Sequence, residues 1–444
     1  MNSNFGLPVS LELIDKEVMD DLLKQISYAD RRDRAINDLG KEDEADTSGN
    51  EDITKYLSAP AVALANTLLE EAVALGASDI HIEPMENEVR VRYRIDGVLV
   101  EHCTVGLNLY QALLARYKIM SQLDIAERRI PQDGKITLTI NGREFDFRIS
   151  TLPIIYGEKI VIRIYNTLGD QITVSKLAAD KNDERRIRNL IRSPHGIILL
   201  TGPTGSGKTT TLYAFLKELN KPGVNIQTVE DPVENQVPGT NQLQVNTKQG
   251  LTFASALRSI LRQDPNIIMI GEIRDEETAH IAVQAAITGH LVFSTIHTNN
   301  AVTTIARLID MGIEPYLVSD SLAGAISQRL MRKLCPDCKK EHIVDEHESK
   351  LLGIPKGSKI YEATGCQKCN FTGYKGRIAV FEILEISTNI KNSIDMKKFG
   401  SEELYEAALK DGLIPLRDRA AAMVKEGITS IEEFNALITH IGEE

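Results

Sequence analysis

The segment from Gly202 to Thr210 has the residue types and the spacing of a loop that binds phosphate groups. It reads Gly202, Pro203, Thr204, Gly205, Ser206, Gly207, Lys208, Thr209 and Thr210, which contains the pattern G-x-x-x-x-G-K-T. The glycines let the backbone curl so that successive N–H groups point inward at a triphosphate. Lys208 would place its charge on the β and γ phosphates, and the Thr209 hydroxyl would ligate Mg²⁺. All of these residues are therefore predicted to bind a nucleotide.

The stretches on either side of this loop are those that a phosphate-binding loop needs. Ile197 to Leu200 is a short apolar run, typical of a buried parallel strand, and Thr210 to Leu219 favours a helix. The helix would direct its positive N-terminal end at the phosphates. A glycine-rich turn that matched the pattern by accident would need neither flank. The order of strand, loop and helix therefore predicts an α/β nucleotide-binding core.

Acidic residues follow two further predicted strands, at 225–229 and 267–270. Glu230 and Asp231 follow the first strand, and Glu272 follows the second. The carboxyl ends of strands in a parallel sheet face the ligand crevice. One acid there would hold Mg²⁺ through water, and another would orient or deprotonate the attacking water. Simple helix capping is the alternative for such residues, and the pattern leaves open whether Glu230 or Glu272 is the catalytic base.

Two histidines flank a fourth predicted strand, at 291–294. His290 precedes it and His297 follows it. Either ring could sense the γ phosphate or relay its loss to a neighbour, because histidine changes its charge near neutral pH. Histidines at strand ends are more often packed or solvated, and the spacing alone favours that interpretation.

The composition is that of a globular protein without a general affinity for nucleic acid. The 444 residues are 42% hydrophobic and 26% charged, and the net charge of −12 argues against a broad grip on phosphate backbones. No run approaches the roughly 18 apolar residues of a membrane span, and residues 1–8 lack the pattern of a signal peptide. We therefore expect a cytosolic protein whose membrane contact is indirect.

Periodicity divides the part before the phosphate loop into three regions. Residues 1–55 read as a flexible arm, with a charged stretch at 31–52. Residues 56–166 read as a compact α+β domain, in which Asn141-Gly142 marks a two-residue hairpin. Residues 167–181 read as a linker.

Arginines are concentrated in the later part of this α+β domain. They are Arg128, Arg129, Arg143, Arg148 and Arg163. Arginines on strands are usually part of a solvated face. The functional alternative is that one or two of them, such as Arg148 and Arg163, reach a triphosphate held by a neighbouring subunit. The residues alone leave both interpretations open.

Four of the five cysteines form two C-x-x-C pairs. They are Cys335, Cys338, Cys366 and Cys369. Two such pairs supply four thiolates, which close a tetrahedral zinc site with no open position. Such a site is structural, so we assign it no catalysis. The fifth cysteine, Cys103, is expected to be a buried structural thiol.

Several ordered motifs resemble those of the secretion ATPases, in the branch that drives type II secretion and type IV pilus assembly. TVEDPVE, the stretch from Gly250 to Asp264, GEIRD and TGHLVFSTIHT resemble that family's Asp box, Walker B region and His box; they occupy 228–234, 250–264, 271–275 and 288–298. Residues 76–83, 129–134 and 148–153 resemble the family's N-terminal domain. The similarity extends over residues 60–440.

The resemblance implies a domain order and a mechanism. It implies a PAS-like α+β domain, a RecA-like ATPase core at 182–330, a tetracysteine zinc module at 331–385 and a helical region at 386–444. It implies a homo-hexamer with ATP bound between domains, in which Arg148 and Arg163 of one copy help at the nucleotide of another. Glu230 or Glu272 would activate water, and His290 and His297 would sense the nucleotide.

The resemblance also implies partners and a branch. The zinc module is similar to that of motors that extend pili or pseudopili, which act on an inner-membrane platform protein and a membrane-anchored adaptor. The protein would then be cytoplasmic and peripherally attached to the inner membrane. Asn266 stands where the family commonly has Asp, so a lost contact to Mg²⁺ or to the fold is one expectation. A nucleic-acid translocase and a nucleotide switch without turnover are the alternative functions.

Overall fold

The computed structural model describes residues 26–36, 59–166, 172–395 and 401–442, together with the single positions 19 and 23. The chain divides into two compact units, 1–167 and 168–444, which we call the first and the second unit. Most of the predicted arm lies outside the described residues. Of the helices within the described ranges, none is long and apolar enough to span a membrane.

The first unit is built on a six-stranded antiparallel sheet of order β3-β2-β1-β6-β5-β4. Its strands are β1 (Ala77–Pro84), β2 (Val89–Ile95), β3 (Val98–Val105), β4 (Gln132–Ile140), β5 (Arg143–Ile154) and β6 (Gly157–Asn166). Two helices, Ala59–Ala74 and Leu107–Met120, bury their apolar side chains with those of the sheet in one core. The α+β class predicted for this region is confirmed.

Hairpin turns order the strands of this sheet. Asn141 and Gly142 have φ values of 52° and 75°, and Ile140 pairs with Arg143 directly across the turn. Positive φ at both central residues is the reason why Asn-Gly is favoured there, so the predicted hairpin is confirmed. The strand β3 was not predicted, although Asp96 and Gly97, with φ values of 49° and 89°, form the same kind of turn before it.

Residues 26–36 correct part of the predicted flexible arm. They form a helix, and Ala35 is only 4% exposed in the core of the first unit. Arg32 donates from Nη1 to Glu71 Oε1 at 3.2 Å, and Arg31 pairs with Glu70 at 3.1 Å. The charges that made this stretch resemble a linker are therefore the charges that attach it to the helix Ala59–Ala74.

The second unit is built on a seven-stranded sheet of order β15-β12-β7-β11-β10-β8-β9. The strands are β7 (Gly196–Thr201), β8 (Ile226–Glu230), β9 (Asn241–Gln244), β10 (Ile267–Ile270), β11 (Leu291–Ile296), β12 (Leu322–Leu334) and β15 (Tyr374–Glu385). All neighbours are parallel except β15, which runs antiparallel to β12. A separate pair, β13 (Lys340–Ile343) and β14 (Lys359–Glu362), is antiparallel.

Helices cover both faces of this sheet. Ile197 and Leu199 of β7 pack into one core, whereas Ile198 and Leu200 pack into another, so the strand is buried on both sides. This explains its continuous apolar sequence. The helices of the unit are Val174–Leu177, Lys181–Ile191, Lys208–Leu219, Phe253–Ile260, Glu276–Ile287, Thr303–Asp310, Pro315–Ser321, Glu346–Leu352, Thr388–Asp395, Ser401–Lys410, Leu416–Lys425 and Ile431–Gly442, with short 3₁₀ turns at Thr247–Gln249 and Gln367–Cys369.

The sheet extends past the residue at which we placed the end of the nucleotide-binding core. Strand β12 crosses the predicted boundary between 330 and 331, and β15 pairs along it from within the predicted cysteine module. The spacing of the cysteines marks where the metal ligands lie but not where the sheet ends. Val174, placed in the predicted linker, is fully buried in the core that also contains Ile198 and Leu200.

Candidate nucleotide-binding site

The phosphate loop joins β7 to the helix Lys208–Leu219, as the sequence predicts. Gly202, Gly205 and Gly207 have φ values of 145°, 81° and 86°, which L-residues with side chains rarely adopt. A Cβ on Gly202 would also lie 2.4 Å from the carbonyl oxygen of Gln328. The loop therefore needs glycine both for its conformation and for its close approach to β12.

Lys208 is attached to the loop that precedes it. Its Nζ donates to the carbonyl oxygens of Gly202 and Pro203, at 2.7 and 2.9 Å. Burial lowers the pKa of Lys208 to about 8; the charge of Arg329 acts in the same direction, and Glu272 opposes it. A phosphate group beside this ammonium would favour its charged form.

Glu272 and His297 lie with Lys208 at the carboxyl edge of the sheet. Glu272 Oε2 is 2.6 Å from Arg274 Nε and 3.9 Å from His297 Nε2. Burial and the charge of Lys208 lower the pKa of His297, whereas Glu272 raises it and Arg274 lowers it. One carboxylate, one imidazole and two cations thus share this edge, and the imidazole favours its neutral form.

Glu230, at the end of β8, is held more completely than Glu272. It is 3% exposed, and its Oε1 accepts from Thr228 Oγ1 at 2.6 Å and from Gln242 Nε2 at 3.0 Å. Its Oε2 accepts from the Tyr213 hydroxyl. Both oxygens of Glu230 are therefore engaged by protein donors. Asp231, the next residue, is exposed.

His290 is not brought to this edge, and its role as a nucleotide sensor stays a prediction. Strand β11 begins beside Gly196 and ends beside Thr201, so His290 lies at the amino edge and His297 at the carboxyl edge. The two edges are about 20 Å apart, at roughly 3.3 Å per residue. His290 Nδ1 lies 2.9 Å from the carbonyl oxygen of Ala285.

Asn266 also lies at the amino edge. Its Oδ1 accepts from the backbone N–H of Asn225 at 2.7 Å, and its own N–H donates to the Asn225 carbonyl at 2.9 Å. These bonds fasten the starts of β8 and β10 together. Asn266 therefore makes a contact of the fold, at the edge opposite the phosphate loop.

Two residues of β12 contact the site and were not predicted. Gln328 is 1% exposed and lies against the phosphate loop, and Arg329 donates from Nη2 to the carbonyl of Asn299 at 2.9 Å. The signal in the sequence is two adjacent polar residues that follow the largely apolar start of a strand. That signal names no partner, because the loop precedes β12 by more than a hundred residues.

The predicted arginines of the first unit lie side by side. Arg148 and Arg163 are direct partners across β5 and β6. Arg163 Nε is 3.0 Å from Asp79 Oδ1, and this hydrogen bond raises the pKa of Arg163. The guanidinium carbon of Arg148 is 4.6 Å from the centroid of the Tyr165 ring. Both are therefore presented on the same face of the sheet.

The four paired cysteines come together as predicted. Cys335, Cys338, Cys366 and Cys369 place their sulfur atoms within 4.8 Å of one another. Sulfur–sulfur distances of 3.9 and 3.8 Å join Cys335 to Cys366 and Cys338 to Cys369, respectively. A tetrahedron with Zn–S bonds of about 2.3 Å has edges of about 3.8 Å. The cluster therefore fits a zinc ion.

The sequence of this chain is similar to those of known proteins. Residues 55–436 match the family model described as type II/IV secretion system protein. The type II secretion system ATPase E of Vibrio cholerae serotype O1 is 48% identical over 387 residues, which is 86% of this chain and 76% of that protein. The type IV pilus assembly ATPase PilB of Myxococcus xanthus is 45% identical over 408 residues, 90% of this chain and 72% of that protein.

A solved structure, the pilus retraction motor PilT with bound ADP, matches with a TM-score of 0.58 and 27% identity. The match covers 83% of this chain and 95% of that one. The predicted fold class, a RecA-like α/β core after a small α+β domain, is confirmed. The resemblance found in the motifs is confirmed as well, and the protein is an ATPase: this chain belongs to the type II/IV secretion system protein family.

Proposed function

We propose that this chain is an ATP-hydrolysing motor that works as a homo-hexamer and powers the assembly of a pseudopilus or a pilus. The observation that carries the proposal is the grouping of Lys208, Glu272 and His297 at one edge of a parallel sheet. The relatives named above are a secretion ATPase and a pilus assembly ATPase, at nearly equal identity. The proposal therefore includes both assemblies, the pseudopilus of a secretion system and the pilus.

In this function Lys208 and the loop N–H groups bind the β and γ phosphates, and Thr209 holds Mg²⁺. The metal would offset the charge that develops on the transferred phosphoryl group. We assign the general base to Glu272 because its carboxylate has one close protein partner, Arg274. Glu230 already accepts from three side chains, which suits a residue that positions the loop after β8.

Arg148 and Arg163 act on the nucleotide of a neighbouring copy. Their position side by side on one sheet face supports this role, because two guanidinium groups could reach the same triphosphate. His297 reports the presence of the γ phosphate, since its neutral ring lies near Lys208 and Glu272. His290 takes no part within its own copy.

The cysteine cluster holds Zn²⁺ as a structural ion, since all four positions are filled by protein ligands. The motor acts from the cytoplasm on an inner-membrane platform protein and on a membrane-anchored adaptor, and it binds no nucleic acid. These partners follow from the relatives' role in secretion and pilus assembly.

Lys208→Ala tests the proposal directly. We expect phosphate release to fall to background, because the loop loses the charge that faces the β and γ phosphates. Lys217→Ala, an exposed lysine on the same helix, is the matched control and should hydrolyse ATP normally. ATP hydrolysis at the wild-type rate by the Lys208 variant would exclude the proposed mechanism.

Mixing two inactive variants tests the action of arginine between copies. Chains with Arg148→Ala and chains with Lys208→Ala are each expected to be inactive as pure hexamers. A mixed hexamer contains interfaces that join an intact Lys208 to an intact Arg148, so mixing should restore hydrolysis. If mixing restores nothing while mixed hexamers form, Arg148 does not act between copies.

A further inference from the structure

We propose that Gln328 is a positioning residue for ATP hydrolysis, which fixes the peptide plane at the centre of the phosphate loop. The inference rests on the proposed function, in which this loop binds nucleotide phosphates. Gln328 lies on β12, is 1% exposed and is buried behind the loop. It acts on the nucleotide only through the loop.

The amide of Gln328 is held by two different partners. Its Nε2 donates to the carbonyl oxygen of Ser206 at 2.8 Å, and its Oε1 accepts from Thr211 Oγ1 at 2.8 Å. The Ser206 carbonyl can only accept, so the nitrogen must face it. The hydroxyl of Thr211, which is fully buried, then donates to the oxygen. The two partners together determine the orientation of the amide.

This contact controls a backbone N–H group that a phosphate would use. In a trans peptide the C=O and the N–H point in opposite directions. Because the Ser206 carbonyl points at Gln328, the N–H of Gly207 points away from β12. A phosphate bound in the loop would accept from N–H groups such as this one. Gln328 therefore holds this donor in the direction that phosphate binding needs.

The first and the last glycine of the phosphate loop also pack closely against Gln328. A Cβ on Gly207 would lie 2.9 Å from Gln328 Nε2, and a Cβ on Gly202 would lie 2.4 Å from the Gln328 carbonyl oxygen. Both glycines have positive φ, so both the conformation and the space exclude a side chain. The loop thus packs against Gln328 at its first and its last glycine.

The contact with Thr211 extends the effect to the following helix. Thr211 lies in the first turn of the helix Lys208–Leu219, whose N-terminal end faces the phosphate site. One amide therefore links the loop carbonyl to the helix. If that amide were lost, the peptide between Ser206 and Gly207 could turn without losing a partner on β12, and the preorganised donor would be lost.

Gln328→Met tests this role because it keeps the length of the side chain and removes both hydrogen bonds. We expect the affinity for ADP, titrated with a fluorescent ADP analogue, to fall about ten-fold, since one positioned donor is worth roughly a factor of ten. The KM for ATP should rise by a similar factor, with a smaller change in kcat. The matched control is Gln227→Met, a buried amide of β8 that donates to the Gln263 carbonyl at 3.1 Å.

The control separates positioning from stability. Both methionine variants are expected to lower the melting temperature, but Gln227→Met should bind ADP as the wild type does. Gln328→Glu is a second variant, which keeps the acceptor for Thr211 and replaces only the donor to Ser206. It too should bind ADP more weakly. Wild-type ADP affinity in a folded Gln328→Met or Gln328→Glu protein would overturn the inference.

Lys208→Ala in the same titration distinguishes the two hypotheses. If Lys208→Ala binds ADP and hydrolyses ATP normally, the proposed function itself fails. If Lys208→Ala loses activity while the Gln328 variants bind ADP normally, only the positioning role of Gln328 fails.

Discussion

The nucleotide edge and the cysteine cluster belong to the same unit but hold their polar groups in opposite ways. At the nucleotide edge, 15% of the Glu272 side chain and 56% of the His297 side chain are exposed, and they lie 3.9 Å apart, too far for a hydrogen bond. In the cluster, Cys369 Sγ accepts from the N–H groups of Cys366 and Gly373, at 3.1 and 3.2 Å. The nucleotide edge leaves its groups accessible, whereas in the cysteine cluster the Cys369 sulfur atom is engaged by backbone N–H groups.

Glu272→Gln should have the largest effect, and it should change the nucleotide edge and leave the cysteine cluster unchanged. We expect kcat for ATP to fall about 100-fold or more, because a general base contributes at least that factor. Phosphate release measures the rate, and the zinc content should be unchanged. Glu230→Gln is the matched comparison; because Glu230 is buried among three donors, that variant should also lower the melting temperature. A normal kcat in Glu272→Gln would reassign the base.

Cys335→Ser should change the cysteine cluster and leave the nucleotide edge unchanged. Loss of one ligand should abolish stoichiometric zinc binding, measured by metal analysis, and lower the free energy of unfolding by about 3 kcal/mol. Hydrolysis by the folded protein should continue. Cys103→Ser, a thiol of the first unit, controls for loss of a sulfur atom and should keep its zinc. Full zinc content in Cys335→Ser would show that the cluster is not the metal site.

The histidines of the two regions should titrate in opposite directions from the ordinary value of 6.5. Burial and Lys208 lower the pKa of His297, whereas the hydrogen bond with Glu348 raises the pKa of His342, which lies on β13 between the two cysteine pairs in the sequence. NMR titration of the ring protons would measure both.

Glu272→Gln should lower the pKa of His297 further and leave His342 unchanged. The folded state disfavours charged His297, so its contribution to stability is present above pH 6.5 and is lost as the pH falls through its lowered pKa. A pKa of His297 above that of His342 would contradict this difference.

Lys368→Met should have the smallest effect. Lys368 Nζ lies 2.6 Å from Asp337 Oδ1 and joins the two cysteine pairs, but both side chains are about 40% exposed. We expect the free energy of unfolding to change by less than about 0.5 kcal/mol, with full zinc content. Chemical denaturation checks this value. A loss comparable to that of Cys335→Ser would mean that the ion pair, and not the sulfur atoms, closes the site.

Local patterns in the sequence predicted several elements and motifs, whereas contacts between distant residues distinguish the surroundings of the candidate site residues. The phosphate loop, the cysteine pairs and the Asn141-Gly142 turn depend on residues a few positions apart, so their spacing is visible in the sequence. The difference between Glu230 and Glu272 depends on Gln242 and Tyr213, which other elements bring in. No pattern around either glutamate contains that information.

The two histidines show how a correct strand can still mislead. His290 and His297 flank β11, and a strand places its two ends at opposite edges of a parallel sheet. This property of strands is enough to predict that the two histidines lie at opposite edges. Residues 26–36 could not be recovered in this way, because their charges become structural only when Glu70 and Glu71 are packed beside them.

Strand β12 connects two sites of the second unit. It is hydrogen-bonded to β7 from Leu322 to Ser327 and to β15 from Gly324 to Leu334. Gln328 lies midway along it, and Cys335 follows its last residue, about 23 Å further on at roughly 3.3 Å per residue. One strand therefore joins the residue that contacts the phosphate loop to the first cysteine of the cluster, and β15 pairs with it over that stretch.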